Sequence, residues 1–112
     1  MSWCEPWLTL SNGIQIDRVD EEYIQESGMN PDFVQGDNWL HDRMQNEHPR
    51  YIPDGHVFLA KSLWKIGADK VIKILSHELF EVAFELDGLA YDSAHDRANV
   101  IEDEVGRALH AT

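Results

Sequence analysis

Two long helical patterns separated by a short turn limit most strongly what this chain can fold into. The first runs from residue 69 to Leu86 and the second from Tyr91 to Leu109, with Asp87-Gly88 between them. Apolar residues recur at helical spacing in both, which is typical of amphipathic helices. The apolar residues are Val71, Ile72, Leu75, Leu79, Val82, Ala83 and Leu86 in the first, and Ala94, Ala98, Ile101, Val105, Ala108 and Leu109 in the second. A turn this short predicts an antiparallel or steeply crossed helix pair.

The ends of these helices are predicted from polar residues that can accept hydrogen bonds from free backbone amides. Asp69 is the expected N-cap of the first helix, and Asp92 or Ser93 that of the second. Gly67 is expected to separate the first helix from the chain before it.

The first half of the chain predicts shorter elements. Trp7 to Asp17 contains two short alternating runs around Asn12-Gly13, which favours a β-hairpin. Residues 20–27 are expected to form one or two helical turns, and Asn30-Pro31 to begin a helix that continues to Met44. The apolar run His56 to Leu59 predicts a buried or edge strand.

The expected fold is therefore α+β and forms a single domain over residues 1–112. A short N-terminal β-hairpin and a small strand would pack with three to four helices, and the C-terminal helix pair would carry the functional residues. A chain of 112 residues has room for one core and little more.

The charge balance narrows the classes of partner. The formal net charge is −12, so direct binding to nucleic acid or to an anionic membrane is not expected, because little on the chain would neutralise phosphates. The same charge suits a soluble protein, a cation binder or a mimic of nucleic acid that covers a basic protein surface. The lone Cys4 excludes an internal disulfide and any cysteine-based zinc site. No export signal or membrane-spanning run is visible, so a cytoplasmic location is expected.

Metal-ligand residue types occur at metal-ligand spacing in the C-terminal helices. His77 and Glu81 are four residues apart and share one helix face, while His95 and Glu102 border the apolar stripe of the second helix. These four side chains predict a divalent metal site, with zinc as the expected ion and iron or manganese as alternatives. On the first helix alone, His77 and its neighbouring glutamates are also typical of a solvated acidic face.

Glu78 is the candidate catalytic residue. A glutamate next to the first metal ligand can take a proton from water whose pKa the metal has lowered. Four bound ligands would close the site and make it structural, whereas three would leave a position for that water. Both arrangements remain open at this point.

The remaining histidines and the tryptophans carry weaker signals. His56 follows a Pro-Asp-Gly loop, which favours a surface histidine at a strand end over an additional ligand. His41, His48 and His110 are interpreted as plain surface residues. The four tryptophans are interpreted as core or rim aromatics: Trp3, Trp7, Trp39 and Trp64.

The last 40 residues resemble zincin-like metallopeptidase domains, in the small forms found in microbial and phage-encoded proteins. The matching residues are His77-Glu78-Leu79-x-Glu81, Gly88-Leu89-x-Tyr91-x-x-Ala94-His95, Ala98 and Glu102. The resemblance implies a metal-binding helix pair with a strand edge nearby. It further implies that His77 and His95 are ligands, that Glu78 is the base and that Glu81 or Glu102 is the remaining ligand. Glu81 stands where the zincin motif has its second histidine, so this is a His-Glu-x-x-Glu variant.

Three functions compete. The leading hypothesis is a small metal-dependent hydrolase that cleaves peptide or amide bonds in a peptide or protein substrate. The second is a non-enzymatic acidic inhibitor or adaptor, of the phage or mobile-element type, that binds a basic protein. The third is a domain with a purely structural metal. The sequence leaves the oligomeric state open.

Overall fold

A computed structural model describes residues 2–110 of the chain and has an α+β fold, as expected. Over these residues a four-stranded mixed sheet packs with five helices. The strands are β1 (Cys4–Thr9), β2 (Gln15–Val19), β3 (Gly36–Asn38) and β4 (His56–Ala60); the helices are α1 (Glu21–Glu26), α2 (Trp39–Met44), α3 (Ser62–Ile66), α4 (Ala68–Leu86) and α5 (Tyr91–His110). In the described part of the chain, no helix is both long enough and apolar enough to cross a membrane.

The sheet has the order β1-β2-β4-β3. The predicted hairpin is confirmed, because β1 and β2 pair antiparallel around Asn12-Gly13. Gly13 has a φ of 90°, and the Asn12 Oδ1 atom accepts a hydrogen bond from the amide of Ile14 at 3.1 Å. The predicted strand at residues 56–59 is the central strand β4, parallel to β2 and antiparallel to β3.

The strand register assigns side chains to the two faces of the sheet. Asn38 pairs with Val57, and Gly36 pairs with Leu59, so these positions share one face. Helix α4 covers that face, because a Cβ atom built on Gly36 would lie 2.9 Å from the Ile74 Cγ2 atom. Phe58 points to the other face, where it contacts aromatic rings of the first half of the chain.

The C-terminal helix pair has nearly the predicted bounds. Helix α4 ends at Leu86, and Gly88 follows with a φ of 100°. The predicted N-caps are wrong, however. Helix α4 already begins at Ala68 with Gly67 before it, so Asp69 lies in its first turn. Helix α5 begins at Tyr91, which places Asp92 and Ser93 in the first turn as well.

The predicted helix from Asn30 to Met44 is wrong over its first half. The Asn30 side chain accepts the amide of Asp32 at 2.9 Å, which closes a turn instead of a helix. The chain then reaches Gln35, whose φ is 63°, and residues Gly36–Asn38 pair with β4. Helix α2 begins only at Trp39, and Asn38 caps it by accepting the amide of His41 at 3.0 Å. Long-range strand pairing has outweighed local helix propensity here.

The predicted apolar arc of α4 is correct in part. Val71 and Val82 are buried, but Ile72 and Leu86 are 42% and 67% exposed. The helix is rotated so that three polar residues are buried instead: His77, Glu78 and Glu81. The acidic face of α4, which from the sequence could also have been solvated, therefore turns inward, towards β3 and α5.

Candidate metal centre

Helices α4 and α5 bring His77, Glu81 and His95 together. One ligand atom from each side chain lies within 4.8 Å of the other two. His77 and Glu81 sit one helical turn apart on α4 and are only 7% and 2% exposed, and His95 reaches them from the first turns of α5. The described residues form no other such group of three.

The distances within this cluster suit a single ion. The Glu81 Oε2 atom lies 3.2 Å from the His77 Nε2 atom and 2.8 Å from the His95 Nδ1 atom. Tetrahedral zinc with bonds of about 2.1 Å separates its ligand atoms by roughly 3.4 Å. The two separations from Glu81 are somewhat shorter than this, as hydrogen bonds between the imidazoles and the carboxylate require.

Asn38 holds both glutamates of the site, and the sequence analysis missed it. Its Nδ2 atom donates hydrogen bonds to the Glu78 Oε1 atom at 2.9 Å and to the Glu81 Oε1 atom at 3.0 Å. The side chain is fully buried at the junction of β3 and α2. One amide thus occupies one oxygen of each carboxylate and leaves both Oε2 atoms towards the histidines.

Glu102 lies on the other side of His77. Its Oε1 atom is 3.1 Å from the His77 Nδ1 atom, whereas the Nε2 atom faces Glu81. The two atoms are not aligned as a hydrogen bond, and Nδ1 is buried without a hydrogen-bond partner among the described residues. A carboxylate behind a ligand histidine orients the ring and makes it a better donor to metal. The role of Glu102 as a ligand stays a prediction, and this position favours an orienting role.

The pKa values of Glu78 and Glu81 on α4 are shifted in opposite directions. Burial raises the pKa of Glu78 well above its ordinary value, and the charges of Glu81 and Asp37 add to this effect. Burial would also raise the pKa of Glu81, but hydrogen bonds from the two histidines and from Asn38 outweigh it and lower the pKa. Glu81 therefore favours the ionised form that a metal ligand requires, whereas Glu78 holds a proton more strongly than an ordinary glutamate.

The opposite wall of the site comes from β3 and α2. Asp37 accepts hydrogen bonds from the His41 Nδ1 atom and the Tyr51 hydroxyl, both at 2.8 Å. The His41 ring stacks on Tyr91 with the centroids 4.4 Å apart. The interpretation of His41 as a plain surface residue is therefore wrong. Its spacing of four residues from Asp37 was visible in the sequence, but the helix expected there hid its connection with α4 and α5.

The two walls enclose a cleft of about 250 Å³. Phe33, Val34 and Ile74 form its apolar side, and the metal-ligand cluster with His41 and Tyr91 forms its polar side. No lysine or arginine is among the described residues that line it, so histidines are the only side chains of this lining that can carry positive charge beside the buried carboxylates. This electrostatic environment favours a bound cation.

Other histidines lie outside this cleft. The His56 Nδ1 atom is 2.6 Å from the Asp17 Oδ2 atom, so His56 is a half-buried partner of that carboxylate and does not join the cluster. His48 is half-buried beside Tyr51, not a plain surface residue, whereas His110 is exposed, as expected. The tryptophans pack at the rim of the core; Trp7 and Trp64, for example, form an edge-to-face pair.

Comparison with protein-family models, with curated proteins and with solved structures gave no match for this chain. The resemblance to zincin-like domains therefore stays a hypothesis carried by the residues of α4 and α5. The function has to be argued from the chemistry of the cleft.

Proposed function

We propose that the protein binds one divalent transition-metal ion through His77, Glu81 and His95, and uses it with Glu78 to hydrolyse peptide or amide bonds. The observation that carries the proposal is the convergence of these three ligand side chains within 4.8 Å at the wall of a cleft. Two of the three are buried, where an uncompensated charge would be costly. A metal ion compensates it.

The donor set favours zinc. Two imidazole nitrogens and one carboxylate oxygen form the three-ligand set that catalytic zinc sites use, with a fourth position left for water or substrate. Iron or manganese would need further oxygen ligands, and Glu78 or Glu102 would have to supply them. Neither of them contributes an atom to the group of ligand atoms that converges within 4.8 Å.

Glu78 is the residue that we propose to act on a water at the open position. Its Oε2 atom lies 4.0 Å from the Nε2 atom of the ligand His77, and its Oε1 atom is held by Asn38. Its raised pKa suits a base that must accept a proton near neutral pH. In this proposal Glu78 would take a proton from the attacking water, and a metal ion held by His77, Glu81 and His95 would supply polarisation of the substrate carbonyl.

The competing acidic-inhibitor hypothesis has less support. A mimic of nucleic acid needs its carboxylates on the surface, but several of this chain's acidic residues are buried: Asp17, Asp37, Asp42, Glu78 and Glu81. Their carboxylates serve internal contacts, and the cleft gathers three of them around histidines. The structural-metal hypothesis differs from the proposal only in the role of Glu78, so it is separated by experiment.

Metal content tests the first half of the proposal. Protein purified without an affinity tag or chelator should contain about one zinc per chain by elemental analysis, and both His77→Ala and His95→Ala should lose it. His110→Ala, at an exposed position away from the cleft, is the matched control and should retain it. Wild-type protein that holds no metal even after reconstitution with zinc, iron or manganese would overturn the proposal.

Activity of the Glu78→Gln variant tests the second half. With zinc retained, loss of the base should lower the cleavage of a fluorogenic peptide library about 10³-fold. If removal of zinc lowers the thermal stability of the protein and Glu78→Gln leaves peptide cleavage unchanged, the metal is structural instead.

A further inference from the structure

We infer that the Asp37–His41 pair is a second acid–base group of the cleft, and that His41 donates a proton to the leaving group of the substrate. The inference rests on the proposed hydrolase function and adds a catalytic residue on the wall opposite Glu78. It is carried by two contacts of the imidazole: its hydrogen bond with Asp37, which Tyr51 fixes, and its stacking on Tyr91.

Asp37 is fixed by partners on both oxygens. Its Oδ1 atom accepts the backbone amide of Asn38 at 2.9 Å and faces the His41 Nδ1 atom at 2.8 Å. Its Oδ2 atom accepts the hydroxyl of Tyr51 at 2.8 Å. The carboxylate is buried and cannot rotate without breaking several hydrogen bonds. It therefore sets the tautomer, with the Nδ1 proton of His41 directed to Asp37 and Nε2 left to exchange protons.

The ring of His41 is fixed yet accessible. Its backbone amide is held by Asn38 in the first turn of α2, and its ring stacks on Tyr91 with an interplanar angle of 11°. The side chain is still 36% exposed and lines the cleft. The Nε2 atom has no hydrogen-bond partner among the described residues, as a proton donor to a bound substrate requires.

Tyr91 connects this pair with the metal ligands. Its hydroxyl lies 3.4 Å from the His95 Nδ1 atom, while its ring supports His41. His41 and His95 thus both contact one tyrosine, and both line the same cleft. A substrate bound in this cleft would have the proposed metal ligands and His41 at its walls.

The two groups divide the proton transfers of hydrolysis. Glu78 takes one proton from the attacking water as the oxygen bonds to the carbonyl carbon. The bond from that carbon to the leaving nitrogen or oxygen then breaks, and the leaving atom takes the Nε2 proton of the His41 imidazolium. Solvent afterwards returns a proton to His41 and removes the one on Glu78. The hydrogen bond that His41 donates to Asp37 raises the pKa of His41; burial opposes this shift, and the charges of Asp37, Glu81 and Glu85 reinforce it.

A pair of esters separates this role from a structural one. The probes are the p-nitrophenyl and ethyl esters of N-acetylglycine, which share one acyl group. The p-nitrophenolate ion leaves without a proton, whereas ethoxide needs one. In zinc-loaded protein, His41→Gln should lower kcat/KM about 100-fold for the ethyl ester and less than about 3-fold for the p-nitrophenyl ester. Asp37→Asn should show the same pattern more weakly, and His110→Gln should change neither rate.

The outcomes distinguish this inference from the function on which it rests. Zinc stoichiometry and the urea midpoint of His41→Gln are measured first, so that a folding defect is recognised. Equal loss on both esters in a folded, zinc-loaded variant would overturn the role of His41 and leave the proposed function standing. The absence of any zinc-dependent turnover of either ester by the wild-type protein would overturn both.

Discussion

The carboxylates of Asp42 and Glu81 are both almost inaccessible to solvent, at 0% and 2% exposure, yet they have different kinds of partners. The Asp42 Oδ2 atom accepts the backbone amides of Tyr51 and Ile52, each at 2.9 Å. Glu81 instead meets two imidazole rings and the side-chain amide of Asn38. The Asp42 Oδ2 atom is thus bound by main-chain amides, and Glu81 only by side chains, two of which are imidazoles that titrate.

This difference is the reason why we propose Glu81, and not Asp42, as a metal ligand. Backbone amides keep their protons at every accessible pH. They offer no nitrogen to a metal ion, so their hydrogen bonds with Asp42 only fasten the loop before β4. An imidazole gives up a proton to solvent when it binds a metal ion. A metal ion could therefore replace the hydrogen bonds between the two histidines and Glu81. Burial alone does not distinguish the two carboxylates, but their partners do.

The largest expected effect is at the structural carboxylate. Asp42→Ala leaves the amides of Tyr51 and Ile52 buried without acceptors, so the free energy of unfolding should fall by about 3 kcal/mol. Urea denaturation followed by tryptophan fluorescence measures this loss. Asp103→Ala removes an exposed carboxylate from α5 and serves as the control, with a change within about 0.5 kcal/mol. A loss at Asp42 no larger than at Asp103 would contradict the structural role.

The increase in the free energy of unfolding on addition of zinc should depend on Glu81 but not on Asp42. Free zinc at 100 times its Kd should raise the free energy of unfolding of the wild-type protein by about 2.7 kcal/mol. Asp42→Ala should keep this increment although it starts from a lower stability, whereas Glu81→Ala should lose it. The measurement is urea denaturation with and without zinc. An increment that survives in Glu81→Ala would remove Glu81 from the ligand set.

Much of the fold could be predicted because its signals are local. Helical periodicity indicated α4 and α5, Asn12-Gly13 indicated the hairpin, and the apolar run at residues 56–59 indicated the central strand. The strand β3 could not be predicted, since three residues carry no periodicity and form a strand only by pairing with β4. Asn38 and Asp37 lie on that strand, so the residues that support the site were hidden together with it.

The sequence predicted which residues form the candidate cluster, but it did not predict their burial or their contacts. Residue type and spacing singled out His77, Glu81 and His95, which the fold brings together. The predicted apolar face of α4 is correct only in part, because the prediction assumes that the apolar residues are the buried ones. Helix α4 buries glutamates and leaves Ile72 and Leu86 exposed, and such conflicts between pattern and burial are expected at functional sites.

A close approach of β3 to α4 positions Glu78, and Gly36 permits it. A Cβ atom at Gly36 would lie 2.9 Å from Ile74 Cγ2 and 3.4 Å from Glu78 Oε2. Gly36→Ala should therefore lower the free energy of unfolding by about 2 kcal/mol. It should also weaken zinc binding measured by calorimetry, because the helix that carries the ligands is displaced.

Gly106 provides the matched comparison on the other side of α4. Its added Cβ atom would lie 3.1 Å from the Cε atom of Lys73, the far end of a flexible side chain that can move away. Alanine also favours the helix by about 1 kcal/mol over glycine. Gly106→Ala should thus keep both stability and zinc affinity. A larger loss there than at Gly36 would show that the contact of β3 with α4 does not position the site.

The smallest expected effect is a gain in stability, in contrast to the losses expected for Asp42→Ala and Gly36→Ala. Glu78→Gln should raise the free energy of unfolding of the metal-free protein by about 1 kcal/mol at neutral pH, as expected where function keeps an unfavourable group in place. Glutamine keeps an acceptor for the Asn38 amide but carries no charge to bury next to Glu81. Urea denaturation of the metal-free protein measures the difference, with Asp42→Asn as the comparison that should lose stability.

The pH dependence of this gain follows from the raised pKa of Glu78. A carboxyl group whose pKa is higher in the folded state contributes stability below its ordinary value of 4.5, and loses that contribution as the pH rises through the folded-state pKa. The advantage of Glu78→Gln should therefore be absent in acid and grow towards neutral pH. Glu81, whose pKa is lowered, behaves in the reverse way and loses its contribution as the pH falls. A gain that is independent of pH would mean that Glu78 is not a buried group of high proton affinity, and would remove the reason to treat it differently from Asp42.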